Sequence, residues 1–187
     1  MNSLTEVDWS TIPEPTDDGE SAHLTGMRLP ALTLTATDGT KVQLNKLTGT
    51  SVIYAYPMTG QPDVPLPDGW DLLPGARGCT PQSCAFREHA VELAQLGVDQ
   101  LYGLSTQSSE YQKEAADRLH LPFTLLSDNS LALTRHMRLP TMQAGGKTLI
   151  KRLTLVVKNA KIIHTFYPVF PPDENAARVI EWLTLND

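Results

Sequence analysis

The chain has 187 residues, 41% of them hydrophobic, with 15 basic and 21 acidic side chains and a net charge of −6. That length suits one domain whose core needs no disulfide staples. The acidic balance offers no basic face for nucleic acid or an anionic membrane, and no apolar run approaches the ~18 residues that span a bilayer.

Residues 1–8 lack a basic stretch followed by an apolar one, so no secretory signal is expected and the protein reads as cytoplasmic. Residues 1–23 are polar and acidic and are broken by Pro13, Pro15 and Gly19. They predict an irregular N-terminal arm, for which a solvated tail is favoured over a segment pinned by Trp9 and Ile12. Residues 24–187 form the domain. Residues 32–35 alternate apolar and polar, Asp38-Gly39 marks a turn, and Val42 and Leu44 continue the pattern, which together predict a hairpin. Residues 51–56 (Ser-Val-Ile-Tyr-Ala-Tyr) are the mark of a strand buried on both faces, ended by Pro57. Residues 57–78, rich in proline and glycine, read as a functional loop over a site.

A helical face follows at Phe86, Ala90, Leu93 and Ala94, stopped by Gly97. Residues 98–104 predict a strand. Ser109 is placed as the cap of a helix over 110–119, with Gln112 as its capping-box partner. Residues 123–126 predict a short strand and 130–137 a short helix. Residues 149–157 read as one long strand, with Ile150, Arg152 and Thr154 on one face. Lys158-Asn159-Ala160 turns the chain into a partner strand at 161–167. Asp173 is placed as the cap of a C-terminal helix that buries Ala176, Val179, Ile180 and Leu183. Helices alternate with strands, and hairpins stand at both ends, so the class is α/β with a mixed central sheet flanked by helices.

The chemistry centres on residues 75–87, which hold both cysteines of the chain, Cys79 and Cys84. In a reducing compartment such a pair is catalytic, redox-active or metal-binding rather than a structural bridge. Thr80 can cap a helix and Pro81 suits its first position, so Cys79 lies at a helix N-terminus. Free N–H groups and the helix dipole favour an anion there, which makes Cys79 the candidate for the attacking sulfur. Five positions along an ideal helix put the two Cα atoms about 8.6 Å apart. A disulfide needs them within about 7 Å. Either the bond never forms, or the first turn unwinds to make it. Two cysteines with His89 match no common zinc pattern, and the spacing is longer than C-x-x-C.

Taken in order, these segments resemble the peroxiredoxins, in particular the peroxiredoxin Q or bacterioferritin comigratory protein type. The resemblance covers about residues 24–185. It rests on the Asp38-Gly39 hairpin, the strand ending in Pro57, Gly78-Cys79-Thr80-Pro81-Gln82-Ser83-Cys84 with Phe86-Arg87-Glu88, the run from Leu121 to Asp128, and Arg152-Leu153-Thr154-Leu155-Val156-Val157. It implies a thioredoxin-like fold with an N-terminal hairpin and extension, and a thiol peroxidase acting on hydrogen peroxide or organic hydroperoxides. Cys79 would be the peroxidatic cysteine, Cys84 the resolving one and Arg152 the group that stabilises thiolate and peroxide. Thioredoxin or another dithiol would recycle the Cys79–Cys84 disulfide. No metal or organic cofactor is implied, and the chain would act as a monomer or weak homodimer.

One departure stands out. The family places Thr or Ser three residues before the nucleophile, where this chain has Ala76, and an insertion separates Tyr56-Pro57-Met58-Thr59-Gly60 from Gly78-Cys79. On this reading Pro57 still shields Cys79, and Thr59 supplies the hydroxyl that holds the peroxide. The departure also keeps two rivals open. One is a thiol–disulfide oxidoreductase or peroxide-sensing redox switch without efficient turnover. The other is a binding module on a thioredoxin-like fold with an inert cysteine.

Overall fold

β-Branched and aromatic residues in short runs set the strands of this protein, whose computed structural model describes residues 7–186. β1 (Thr33–Ala36) and β2 (Lys41–Gln43) pair antiparallel across Asp38-Gly39, where the Asp38 carboxylate accepts from the Thr40 backbone N–H and hydroxyl. β3 (Thr50–Ala55) leads through the long loop to α1 (Cys79–Glu88), α2 (Ala90–Gln95) and β4 (Val98–Ser105). Then come α3 (Ser109–Arg118), β5 (Thr124–Ser127), α4 (Ala132–Met137), β6 (Thr141–Ala144) and β7 (Lys147–Ile150). β8 (Leu153–Lys158), β9 (Lys161–Phe166) and α5 (Asn175–Leu185) complete the order.

The main sheet runs β2-β1-β5-β4-β3-β8-β9, parallel where β3, β4 and β5 meet and antiparallel elsewhere. β6 and β7 form a separate ribbon. β3 lies between β4 and β8 and is buried on both faces from Ser51 on, which is why its sequence is an unbroken apolar run. Its alternate side chains feed two cores. Val52 and Tyr54 pack with Phe86, Leu93, Val179 and Leu183, while Ile53 and Ala55 pack with Leu133 and Met137. The Phe86 ring stacks on Tyr54 at 4.4 Å between centroids, and the Tyr54 hydroxyl donates to Ser83 Oγ at 3.0 Å. These two contacts fasten the second half of α1 to the sheet.

The structure departs from the expected elements in several places. The strand drawn over 149–157 is two strands in two sheets, broken at Lys151-Arg152. β7 pairs with β6 across Gly145-Gly146, and β8 pairs with β3. The apolar alternation runs straight through the break, so periodicity alone does not register it. The helix after Cys84 is likewise two, divided at His89. α3 is capped by Ser108, whose side chain accepts from the Tyr111 N–H, while Ser109 Oγ donates to the Thr35 carbonyl. Gln112 is no capping partner but a buried strut: its amide donates to the Gln107 and Leu126 carbonyls and accepts from the Tyr56 hydroxyl. Asp173 belongs to a 3-10 turn (Pro172–Glu174) ahead of α5 and accepts from the Trp9 indole instead of capping the helix.

The first six residues of the expected arm, most of the stretch read for a secretory signal, and Asp187 lie outside the described residues. Residues 7–23 are not a solvated tail. Trp9 opens a 3-10 turn (Trp9–Thr11) and meets Phe170 edge-on with centroids 6.0 Å apart, and Ile12 is buried. Lys151 reaches Asp18 at 2.7 Å and Glu20 at 3.2 Å, and the Tyr167 hydroxyl donates to Asp18. The hydrogen bond from Lys151, above all, holds the Asp18 carboxyl down at about 2.

Candidate active site

α1 begins at Cys79, two residues earlier than the Thr80-Pro81 signal places it, and its N-cap is Gly78. Gly78 has φ +113°, a conformation that residues with a Cβ rarely adopt. A Cβ there would stand 2.6 Å from Pro172 Cγ and 2.9 Å from Trp9 Cη2. Glycine is therefore demanded twice, by backbone and by space. Gly78→Ala is expected to cost roughly 3 kcal/mol or more through strain and overpacking. A thermal scan reads the loss, and an unchanged Tm would contradict it.

Cys79 is buried at 4% exposure, and its thiol faces the Ala76 carbonyl at 3.7 Å. Arg152 stands over it. The Arg152 Nη2 donates to Cys79 Sγ at 3.3 Å and to the carbonyls of Gly75, Ala76 and Arg77 at 3.2–3.3 Å. Arg152 is itself 3% exposed and, among the described residues, has no carboxylate partner. A buried cation without a counter-ion is costly. Its Nε–H is also the one buried side-chain polar atom, among the described residues, without a hydrogen-bond partner. In a guanidinium, Nε and one Nη share an edge, so this free donor belongs to the same small group that touches the sulfur.

The break between β7 and β8 places Arg152 here, and a buried chain of amides orients it. Arg152 Nη1 donates to Gln82 Oε1, Gln82 Nε2 donates to Asn175 Oδ1 at 3.0 Å, and the Thr154 hydroxyl donates to the same Asn175 oxygen at 2.6 Å. Sequence reasoning missed Gln82 and Asn175. A usable signal existed for Gln82: three residues after Cys79 on a helix, it shares the nucleophile's face.

Cys84 lies in the same unbroken helix, and both thiols are free. Burial pushes the Cys84 thiol up, against the pull of Arg87 and Arg118. Arg87 reaches the Leu119 carbonyl and Glu88 rather than the nucleophile. Thr59 lines the same cavity as Cys79, but its hydroxyl donates to Gln107 Oε1 at 3.3 Å. The Gln107 amide closes the loop on the Thr59 carbonyl. Pro57 is buried at the end of β3, where its carbonyl accepts from Ser105, and is not among the residues that line the cavity. The inserted loop supplies most of the cavity wall, including Met58, Val64, Leu66 and Trp70, and encloses about 450 Å³ above Cys79.

Residues 24–180 match the redoxin family model. Peroxiredoxin Q of Sedum lineare, a chloroplastic protein, is 31% identical over 160 residues, which cover 84% of this chain and 76% of that relative. The chain is a peroxiredoxin of the redoxin family. Peroxiredoxins are thiol-dependent peroxidases, and this peroxiredoxin holds its two cysteines on one helix beside a buried arginine. Its fold is thioredoxin-like. Mycobacterium tuberculosis BcpB superposes with a TM-score of 0.70 at 24% identity, covering 87% of this chain and 97% of that one. The Xanthomonas campestris bacterioferritin comigratory protein, described for its alkyl peroxide reduction activity, gives 0.67 at 22% identity, with 86% and 97% covered. Among the described residues no helix is long and apolar enough to cross a membrane.

Proposed function

We propose that Cys79 is the peroxidatic cysteine, Cys84 the resolving cysteine and Arg152 the group that stabilises the reacting charge. One observation carries this: a buried guanidinium with no carboxylate partner sits 3.3 Å from the Cys79 sulfur. Ionising Cys79 supplies the missing counter-ion. The first-turn N–H groups of α1, which have no intrahelical acceptors, add to the same field.

The Cys79 thiolate attacks the terminal oxygen of a hydroperoxide. The S–O bond forms as the O–O bond breaks, and the departing alkoxide takes a proton to leave as alcohol, or as water when the substrate is hydrogen peroxide. Arg152 lies behind the sulfur rather than in the wall of the cavity, so its guanidinium acts from 3.3 Å on the sulfur and on the negative charge that builds on the peroxide oxygen beside it. Ala76 offers no hydroxyl, and the Thr59 hydroxyl is engaged by Gln107. Peroxide positioning therefore falls to Arg152 and the backbone, with Thr59 and Pro57 as structural neighbours. The cavity is far larger than hydrogen peroxide and largely apolar, so organic hydroperoxides fit it well. The alkyl peroxide activity named for the Xanthomonas campestris protein supports the same choice.

The Cys84 thiol then attacks the Cys79 sulfenic acid, forming the disulfide and releasing water. A dithiol protein of the thioredoxin kind returns two electrons by exchange. The cytoplasm, where such dithiols are kept reduced, suits this cycle. The disulfide is intramolecular, so a monomer can complete it. Because burial raises the Cys84 thiol, its thiolate fraction at neutral pH is small and grows about tenfold per pH unit. Disulfide formation is expected to accelerate with pH in that proportion from 6 to 8. A rate that falls with pH would contradict it. The test of the whole assignment is peroxide-dependent oxidation of thioredoxin by the wild-type protein.

A further inference from the structure

The disulfide step requires part of α1 to unwind, and the structure distinguishes its two halves. The second half is bound to β3 by the Tyr54–Phe86 stack and the Tyr54–Ser83 hydrogen bond, and Phe86 is fully buried. Freeing it would expose one of the largest apolar side chains in the core. The first turn is the cheaper part to move. It carries Cys79 itself, and its outer contact is Gly78.

Gly78 is gripped from outside the domain's sheet. Trp9 Cη2 and the Pro172 ring sit within 3 Å of where its Cβ would be. The indole is fixed in turn. Its Nε1 donates to Asp173 Oδ2 at 3.0 Å and its ring meets Phe170 edge-on. Farther along the arm, Pro15 lies 3.6 Å from where a Cβ on Gly75 would stand, and Asp18 and Glu20 hold Lys151 next to Arg152. The arm thus touches the start of the nucleophile's helix, the loop before it and the residue beside its arginine. The chemistry of oxidation does not need Trp9, whose indole hydrogen bond goes to Asp173 rather than to the sulfur.

We infer that Trp9 is a positioning residue for the resolving step, and that the N-terminal arm is a latch on the first turn of α1. With the latch closed, Gly78 stays packed and Cys79 stays under Arg152, ready for peroxide. The turn must leave the indole before Cys79–S–OH and Cys84–SH can combine to the disulfide and water. The latch therefore favours the oxidising step, slows the resolving step and lengthens the life of the sulfenic acid. A second peroxide can then oxidise that sulfenic acid to sulfinic acid. This inference rests on the roles proposed for Cys79 and Cys84.

The experiment is rapid-quench alkylation after mixing full-length protein with cumene hydroperoxide, read by mass spectrometry. It follows loss of the Cys79 thiol and formation of the disulfide as separate rates. Trp9→Ala is expected to raise the ratio of resolving to oxidising rate about tenfold, the change that losing a half-buried indole contact corresponds to. Sulfinic acid at high peroxide should fall in step. Trp9→Phe, which keeps an aromatic ring against Gly78, should bring the ratio back toward wild type. Asp173→Ala, which frees the indole without removing it, should shift the ratio in the direction of Trp9→Ala and serves if that variant does not fold. A ratio unchanged or lowered in the variants, including the case in which both rates drop together, overturns the latch alone. Absence of a Cys79–Cys84 disulfide in the wild-type protein overturns the underlying roles and the latch with them.

Discussion

Cys79→Ser loses peroxide turnover by at least about a thousandfold, because a hydroxyl at that position is a far weaker nucleophile than a thiolate. The fold should survive, since sulfur and oxygen differ little in size and a hydroxyl can keep both polar contacts of the sulfur, donating to the Ala76 carbonyl and accepting from Arg152 Nη2. Cys84→Ser behaves differently. It consumes one equivalent of hydroperoxide, stops with sulfenic acid on Cys79, and is not recycled by thioredoxin. A thioredoxin-coupled assay and a sulfenic-acid trap separate the two variants. Undiminished turnover in Cys79→Ser would remove the basis of the mechanism. Slow turnover in the wild-type protein with fast exchange against protein disulfides would instead favour a redox switch.

Arg152→Met carries the next largest effect, a fall of about 10²–10³ in kcat/KM. That is the scale for losing one preorganised donor at a developing anion. Stability moves much less in proportion. Removing an unpaired buried cation is favourable, while the carbonyls of Gly75, Ala76 and Arg77 and the Gln82 amide lose their donor, at about 1–3 kcal/mol for a buried acceptor left unmatched. Arg152→Lys should remain slow. One ammonium cannot span Gln82, three carbonyls and the Cys79 sulfur as a planar fork does. Steady-state kinetics beside a thermal scan distinguish the two effects. A kcat/KM within a few-fold of wild type in Arg152→Met would contradict the role given to the guanidinium.

Signals confined to neighbouring residues were legible before the structure. The buried strand β3 declared itself as an apolar β-branched run, and the cysteine pair as a helix start. Arg152 was found, but on a strand that proved to be a crossing between two sheets. Its alternating neighbours continue unbroken, and only the Gly145-Gly146 turn hints at the ribbon. What the sequence hid lies across long separations. Gln82 meets Asn175 and Arg152, Thr59 meets Gln107, and Trp9 meets Gly78 and Asp173. Each contact depends on how elements pack, which local propensity does not encode. The hydroxyl assigned to Thr59 illustrates the limit. Its place on the cavity wall was anticipated, but its engagement by Gln107, 48 residues later, was not.

The cycle turns on two cysteines meeting that an intact helix keeps apart. The direct measurement is peptide mapping after reduced protein takes up one equivalent of cumene hydroperoxide, with the remaining thiols alkylated. Predicted is a Cys79–Cys84 disulfide within one chain, no alkylated thiol, and faster amide hydrogen exchange over residues 79–84 than in the reduced protein. Cys84 recovered as an alkylated thiol, beside a Cys79 left as sulfenic acid, would contradict it.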